Sequence, residues 1–230
     1  MPQHSTPVDL AELIQRVFPN SQPDSQSVLA RTARIGQMAP NQIMFRQGEP
    51  IPLTVIIRGN AAFRRTTIDG RQLVLGVVGG GDVFGFSSVA SLPSTVDLVA
   101  LSEGEVATWS GDELRPLVAG DSGLALAVID GMSRLAANTV ARVDGFIHQG
   151  ARMRVLRVLA QYEDLIFGPS AVLSRTHLPS LVGTSREMTG RVLRQLEREG
   201  LIARVGRRGL NLRSPARLQR EVGSALPEPE

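Results

Sequence analysis

Ser174-Arg175-Thr176-His177-Leu178-Pro179-Ser180-Leu181-Val182-Gly183-Thr184-Ser185-Arg186-Glu187-Met188-Thr189-Gly190-Arg191-Val192-Leu193-Arg194-Gln195-Leu196-Glu197-Arg198 reads as a short helix ending at Val182, a tight turn at Gly183 and a second helix. That order is a helix-turn-helix. Thr184 is the expected N-cap of the second helix, with Glu187 three residues on as its capping-box partner. On a wheel of about 100° per residue, Arg186, Glu187, Gly190, Arg191, Arg194, Glu197 and Arg198 share one side. Met188, Thr189, Val192, Leu193 and Leu196 share the other and form the expected core face. Arg can donate two hydrogen bonds to guanine, and Glu can accept from the cytosine amino group. A solvated face laced by ion pairs, Glu187 to Arg191 and Arg194 to Glu197 or Arg198, would give the same wheel.

The residues that follow favour the nucleic-acid reading. Leu201 to Val205, then Gly206-Arg207-Arg208-Gly209, then Leu210 to Arg213 predict a β-hairpin with a basic tip, a wing suited to phosphates beside a groove. Charge points the same way. The chain carries a net +3 with every basic residue an arginine, yet residues 175–220 hold 11 Arg against 3 acids, a local +8. A compact basic segment on a near-neutral body is the electrostatic footprint of a phosphate-backbone binder.

Upstream, residues 151–167 predict an amphipathic helix with Val155, Leu156, Val158, Leu159 and Leu165 inward, stopped at Gly168-Pro169. Residues 121–149 predict one long helix. Along it Leu124, Val128, Met132, Leu135, Thr139, Val143 and Phe146 recur every three or four positions. Such a stripe needs a partner surface: a symmetric twin is the commonest, and its own barrel is the alternative. Residues 112–117 predict a short helix. Between residues 35 and 110, short apolar runs alternate with turns such as Gln47-Gly48-Glu49-Pro50, Arg58-Gly59-Asn60, Asp69-Gly70 and Gly79-Gly80-Gly81-Asp82. That texture predicts a small barrel or double-sheet jelly roll. Two further helices, 8–18 and 24–33, look like a peripheral arm.

Composition sets the outer bounds. With 230 residues, 42% hydrophobic, the chain can bury a core of one large or two small domains. It has no cysteine, which excludes disulfides, thiolate iron–sulfur clusters and cysteine nucleophiles and fits a cytoplasmic protein. No run of about 18 apolar residues predicts a membrane span, and residues 1–9 do not resemble a signal peptide.

The chain resembles the cyclic AMP receptor protein and FNR (Crp/Fnr) family of bacterial transcription regulators. The strongest match is Thr184 to Leu193, against a family pattern Ser-Arg-Glu-x-x-x-Arg-x-Leu. Phe45-Arg46-Gln47-Gly48-Glu49, Ile56-x-x-Gly59 and Gly81-Asp82-x-Phe84-Gly85 match barrel turns of the family in order. The resemblance covers residues 35–213. It implies an α+β fold: an N-terminal jelly-roll β-barrel like a cyclic-nucleotide-binding domain, a long dimerisation helix and a C-terminal winged helix-turn-helix. The divisions read from the sequence are an N-terminal helical arm at 1–34, the barrel at 35–117, the long helix at 118–149, the winged helix at 150–220 and a flexible tail at 221–230. The resemblance makes Arg186, Glu187 and Arg191 the base-reading trio of the cyclic AMP receptor branch, which reads a TGTGA-like half-site; the residue before the Glu differs in the FNR branch. It makes Arg175 a phosphate contact. Thr184, Ser185, Arg194, Arg207 and Arg208 complete the candidate DNA-binding set. The implied partners are double-stranded DNA, a second copy of the chain as homodimer and RNA polymerase, with no membrane.

Two departures stand out. Pro179 falls inside the first helix of the motif, where an interior proline costs about 3 kcal/mol. In the barrel, cyclic-nucleotide members carry Gly-Glu after the Phe-Gly turn, for the ribose hydroxyl, and then Arg-Ser or Arg-Thr for the phosphate. Here Gly85 is followed by Phe86 and Ser87, and the later position reads Ser94-Thr95. Losing a charge-assisted phosphate bond removes one of the stronger polar contacts available, so cyclic AMP is disfavoured. Gly85, Phe86, Ser87, Ser94 and Thr95 mark the candidate effector pocket, with the effector unknown and no cofactor predicted. A small organic acid, a lipid-like molecule or no ligand fits equally. Haem is a remaining family option, through His4 or a sulfur or backbone ligand; the other histidines, His148 and His177, lie outside the barrel. A cupin-type metalloenzyme needs several histidines within the sheets, and none lies between residues 5 and 147. Gly79-Gly80-Gly81 lacks the Lys-Ser/Thr of a P-loop. No catalytic or metal-binding set is predicted. A ligand-binding module without DNA function is the third class, opposed by the +8 segment and the wing.

Overall fold

The computed structural model describes residues 9–223. They fall into two compact units: residues up to 66 together with 75–138, and residues 67–74 together with 139 onward. The first opens with helices α1 (Leu10–Val17) and α2 (Pro23–Thr32). Eight strands follow: β1 (Arg34–Met38), β2 (Ile43–Phe45), β3 (Leu53–Arg58), β4 (Asn60–Thr66), β5 (Gln72–Gly79), β6 (Val83–Phe84), β7 (Asp97–Ala100) and β8 (Gly104–Trp109). They make two four-stranded sheets, β1-β8-β3-β6 and β2-β7-β4-β5, the double-sheet jelly roll that the turn spacing predicts. The reversal from β4 to β5 is the predicted Asp69-Gly70 turn, closed by Gly70 N–H donating to the Thr67 carbonyl.

Strand β3 shows why the layers stack. Its first four residues are all buried, because successive side chains face opposite sides of the sheet. Ile56 joins the barrel interior with Met38, Ile51, Phe84, Leu98 and Val106. Leu53 and Val55 join an outer core with Leu13, Ile14, Phe18, Leu29, Trp109, Leu114 and Leu124. The N-terminal helices are therefore not the peripheral arm that their position suggests. Leu13, Ile14 and Leu29, with Phe18 at the end of α1, lie within 2% of full burial, and the Trp109 indole N–H donates to the Leu29 carbonyl at 2.9 Å. At about 1.5–3 kcal/mol per buried large side chain, this layer outweighs any exposed ion pair on the unit.

Helix α3 (Gly111–Gly120) leads into α4 (Ser122–His148). Ser110 and Glu113 form a reciprocal capping box at the start of α3. Asp121, 1% exposed, accepts from the amides of Gly123 and Leu124 at 2.9 and 3.1 Å and from the amide of Gln22 at 2.7 Å. Burial pushes its carboxyl up, but hydrogen bonds from Ser25, Gln22, Leu124 and Gly123 outweigh that and hold it below its usual value. One carboxylate thus starts α4 and ties down α2.

Of the predicted stripe on α4, Leu124 is buried, whereas Met132, Leu135, Val143 and Phe146 are exposed. Leu126, Ile129, Val140 and Ile147 add to them, 58–69% exposed. No unbroken apolar run exists, yet α4 is long and apolar enough on average to cross a membrane, with mean hydropathy 1.2 over 18 residues. Asp130, Arg134, Arg142 and Asp144 punctuate it.

The second unit continues with α5 (Ala151–Gln161), α6 (Glu163–Phe167), α7 (Leu178–Val182), α8 (Arg186–Arg198), β9 (Ile202–Val205), β10 (Gly209–Leu212) and α9 (Pro215–Gly223). Its core takes Val155, Leu156 and Leu159 from α5, Leu178, Leu181 and Val182 from α7, Val192, Leu193 and Leu196 from α8, and Leu210 and Leu218 beyond them. The single helix expected over 151–167 is instead two, because Tyr162 leaves helical geometry at φ −116°, ψ 34°. That break buries Ile166 in place of the expected Leu165. Proline 179 does no damage: it occupies the first turn of α7, where its missing N–H has no intrahelical partner to lose. The tail expected over 221–230 begins as ordered helix, since Glu221 to Gly223 complete α9. Leu226 to Glu230, like His4, lie outside the described residues.

Candidate nucleic-acid interface

Helix α8 begins one residue later than its sequence suggests. Gly183 takes the left-handed conformation, φ +67°, and the Thr184 amide donates back to the Pro179 carbonyl. Ser185, not Thr184, is the N-cap; its side chain accepts from the Met188 amide at 3.1 Å. The capping box predicted for Glu187 therefore does not form. With Glu187 at the second helical position, its carboxylate reaches Arg191 instead, at 3.2 Å. The core side is as predicted for Thr189, Val192, Leu193 and Leu196, all buried, while Met188 stays 36% exposed.

The opposite face stands in solvent. Arg186, Glu187, Arg191 and Arg194 are all exposed. The Arg191 and Glu187 side chains remain 65% and 82% exposed, so their pair is worth about 0.3–0.5 kcal/mol. Bidentate base contacts are worth about 1–3 kcal/mol, enough to displace it. Glu197 pairs with Arg204 of β9 rather than with Arg194 or Arg198 of its own helix.

The wing completes the surface. Strands β9 and β10 pair from Ile202–Leu212 to Val205–Gly209, and their turn carries Arg207 and Arg208 into solvent. The Arg208 carbonyl accepts from the Arg175 amide at 3.0 Å, which anchors the wing tip to the segment before α7. Arg175, Thr176, Arg186, Gly190 and Arg207 line one groove of about 340 Å³. Arg191, Arg194, Arg198 and Arg204 line an adjacent open depression of about 570 Å³. The structure thus brings Arg175, Arg186 and Arg207 together, places Arg191 and Arg194 beside them, and adds Arg204. The wheel could not assign Arg204, because the signal lies on a strand with the +8 charge and not on the helix. His177 caps this region from within. Its Nδ1 accepts from the Ser174 amide at 3.0 Å. Burial, then the nearby Arg208 charge, hold the imidazole below its usual pKa, so it stays neutral and able to accept.

The five barrel positions also make contacts within the fold. Gly85 adopts φ +82° with its α-carbon against the Pro52 carbonyl. The Phe86 ring lies over Gly131 of α4, so close that any Cβ at Gly131 would overlap it. The Ser87 carbonyl accepts from the Leu92 amide. Ser94 is buried; its amide donates to the Glu49 carbonyl at 2.7 Å and its carbonyl accepts from the Gly48 amide at 2.8 Å. The Thr95 carbonyl accepts from Arg65 at 2.9 Å. Arg64 of β4 pairs with Asp97 of β7 at 3.2 Å, with side chains only 24% and 16% exposed. Inside the barrel, Phe63 and Phe84 meet edge to face, 5.0 Å between centroids. Among the described residues, no group of three or more His, Cys, Asp or Glu could hold a metal ion.

Residues 36–121 match the family model of the cyclic nucleotide-binding domain, and residues 153–221 match that of the Crp-like helix-turn-helix domain. The cAMP-activated global transcriptional regulator Vfr of Pseudomonas aeruginosa is 30% identical over 186 residues, 76% of this chain and 87% of Vfr. The CRP-like protein Clp of Xanthomonas campestris is 29% identical over 176 residues, 69% of this chain and 75% of Clp. Among solved structures, the c-di-GMP responsive global regulator CLP of Xanthomonas campestris superposes with TM-score 0.68 at 26% identity, covering 83% of this chain and 99% of that one. FixK2 from Bradyrhizobium japonicum shares the fold, with TM-score 0.71 at 20% identity over 82% and 96% of the two chains. A jelly roll, a long helix and a helix-turn-helix in this order define a one-chain transcription regulator. The chain belongs to the Crp/Fnr family and is a DNA-binding transcription regulator; its relatives are regulators, not enzymes.

Proposed function

We propose that this protein is a cytoplasmic homodimer that binds a palindromic DNA site with TGTGA-like half-sites and acts with RNA polymerase. The observation that carries the reading is the exposed Arg186-Glu187-Arg191 row on α8 beside the Arg175–Arg207 groove. In this reading Arg186, Glu187 and Arg191 contact base edges, and Arg194 supports them. Arg175, Arg207 and Arg208, with Thr184 and Ser185 at the helix entry, set the register on phosphates. The exposed apolar face of α4 takes a second copy of the same helix. Removing six or so large apolar side chains from water favours that pairing, and a two-fold dimer places two reading helices about 34 Å apart, one turn of DNA.

In the same reading the barrel does not take cyclic AMP in the manner of its activated relatives. Phe86 supplies no acceptor for a ribose hydroxyl, Ser94 and Thr95 supply no cation, and Arg64 is already paired. Fluorescence anisotropy with the palindrome and with a scrambled duplex, in the absence of effector, tests the DNA half of the proposal. Selective binding supports it; equal binding to both duplexes removes the half-site. Repeating the titration with cyclic AMP and with cyclic di-GMP tests the barrel half. Micromolar tightening by cyclic AMP would overturn it.

A further inference from the structure

The base-reading face of α8 is held by groups that never approach it. Arg152, in the first turn of α5, donates to Glu199 and to Glu221 at 2.6 Å each. Arg217 of α9 contacts the same two carboxylates, at 3.1 and 2.8 Å. It also donates to the Glu199 main-chain carbonyl at 2.8 Å. Glu199 is the C-cap of α8, so Arg217 places a cation on a helix C-terminus, where unpaired carbonyls concentrate negative potential. Each guanidinium bridges both acids and each acid bridges both guanidiniums. The four side chains are only 23–36% exposed. Hydrogen bonds from Gln195 and Arg152 hold Glu199 below the ordinary carboxylate range, and Arg152 does the same for Glu221. Both carboxylates are thus favoured in the charged form that the two guanidiniums contact.

We infer that Arg152, Glu199, Arg217 and Glu221 are positioning residues that set the angle at which α8 presents Arg186, Glu187 and Arg191, and that α9 is therefore part of the reading head. The inference rests on the DNA-reading function proposed above. Helix α8 is fixed at its N-terminal end by the Gly183 turn and the Ser185 cap. The network fixes the other end to the start of α5 and to α9. The buried Val192, Leu193 and Leu196 hold α8 on the core, and the two fixed ends set the angle at which it lies there. Bidentate base contacts tolerate displacements of only about 0.5 Å, whereas a long arginine follows a phosphate over a wider range. Loosening the network should therefore cost sequence discrimination before it costs general DNA affinity.

The test uses the full chain with the palindromic and scrambled duplexes. Wild type, Arg152→Met and Glu199→Gln are titrated by anisotropy, with circular dichroism to confirm folding. Arg152→Met keeps the alkyl packing and removes the charge. Affinity for the palindrome should fall about tenfold while affinity for the scrambled duplex moves by less than about twofold. Arg152→Lys, which can satisfy one carboxylate at a time, should recover part of the difference. A parallel fall on both duplexes, or no fall on either, overturns the inference. If Arg152→Met does not fold, the same ratio is read from Glu199→Gln, which removes one charge. A wild type without preference overturns the half-site proposal and this inference together. A selective wild type whose variants keep the ratio overturns the network alone.

Discussion

The arginines on the outer face of α8 and the wing tip and the barrel pair Arg64 and Arg65 are the same residue put to opposite uses. On α8 and the wing, Arg186, Arg191, Arg194, Arg207 and Arg208 are exposed, and where they are paired, as Arg191 is, the pair is too wet to resist a competitor. In the barrel, Arg64 is closed onto Asp97 and Arg65 onto the Thr95 carbonyl. The reading face keeps its charges available and rests on a leucine and valine core beneath. The barrel holds Arg64 and Arg65 against its own acceptors and fills its interior with aromatic and aliphatic side chains. A charge left available in solvent points to a ligand that arrives later, and a charge already satisfied points to architecture.

Substitutions can break this contrast, and the largest effect should come from the barrel. Trp109→Ala removes a fully buried indole and its bond to Leu29. It should cost about 3–5 kcal/mol of stability, read by chemical denaturation. A loss near zero would show that the N-terminal helices are peripheral after all. Arg186→Ala and Arg191→Ala should each cost about 1–3 kcal/mol of binding to the palindrome, with the melting temperature unchanged. A drop in melting temperature of comparable size would make them structural like the barrel arginines. Asp121→Ala should cost about 1–2 kcal/mol through the lost start of α4. Because the folded-state pKa of Asp121 is depressed, its contribution is present above the unfolded carboxylate value and lost as pH falls through the folded one. A Tm-versus-pH profile should thus lose part of its acid-side slope in Asp121→Ala, and an unchanged profile would count against the assignment. The smallest effect should be at His177, whose pKa is also depressed by burial. Its share of stability is complete at neutral pH and declines as pH drops below about 6.5. His177→Gln should flatten that decline in the winged helix.

The two regions were also unequally legible. The head is encoded locally: the 3.6-residue period of α8, Gly183 at the turn and the basic hairpin all lie within forty or so residues, where short-range rules apply. Its slip at the helix start, the cap at Ser185 instead of Thr184, arose because two good capping residues stand side by side and the left-handed Gly183 selects between them. Barrel turns were legible through Gly48, Gly59, Gly70 and Gly85. The burial of Leu13, Ile14, Phe18 and Leu29 was not, because their partner Trp109 lies about ninety residues away and an amphipathic helix does not name its partner. Helix α9 was not expected as a helix: residues 215–220 fall within the expected winged helix, and only Glu221 to Gly223 run into the expected tail. The network of Arg152, Glu199, Arg217 and Glu221 could not be read at all, since each charge alone looks like a solvated surface residue.

In the proposed function, the exposed arginines of α8 read guanines. The most direct measurement is an anisotropy cycle between protein and DNA. Wild type and Arg186→Ala are each titrated with the palindrome and with duplexes in which one G·C pair of TGTGA is inverted at a time. Wild type should lose about 1–3 kcal/mol on each inverted duplex, and Arg186→Ala should lose markedly less at one of the two guanines, the one its side chain no longer reads. Equal losses for both proteins at every inverted position would contradict the account, because Arg186 would then act on the phosphate backbone alone.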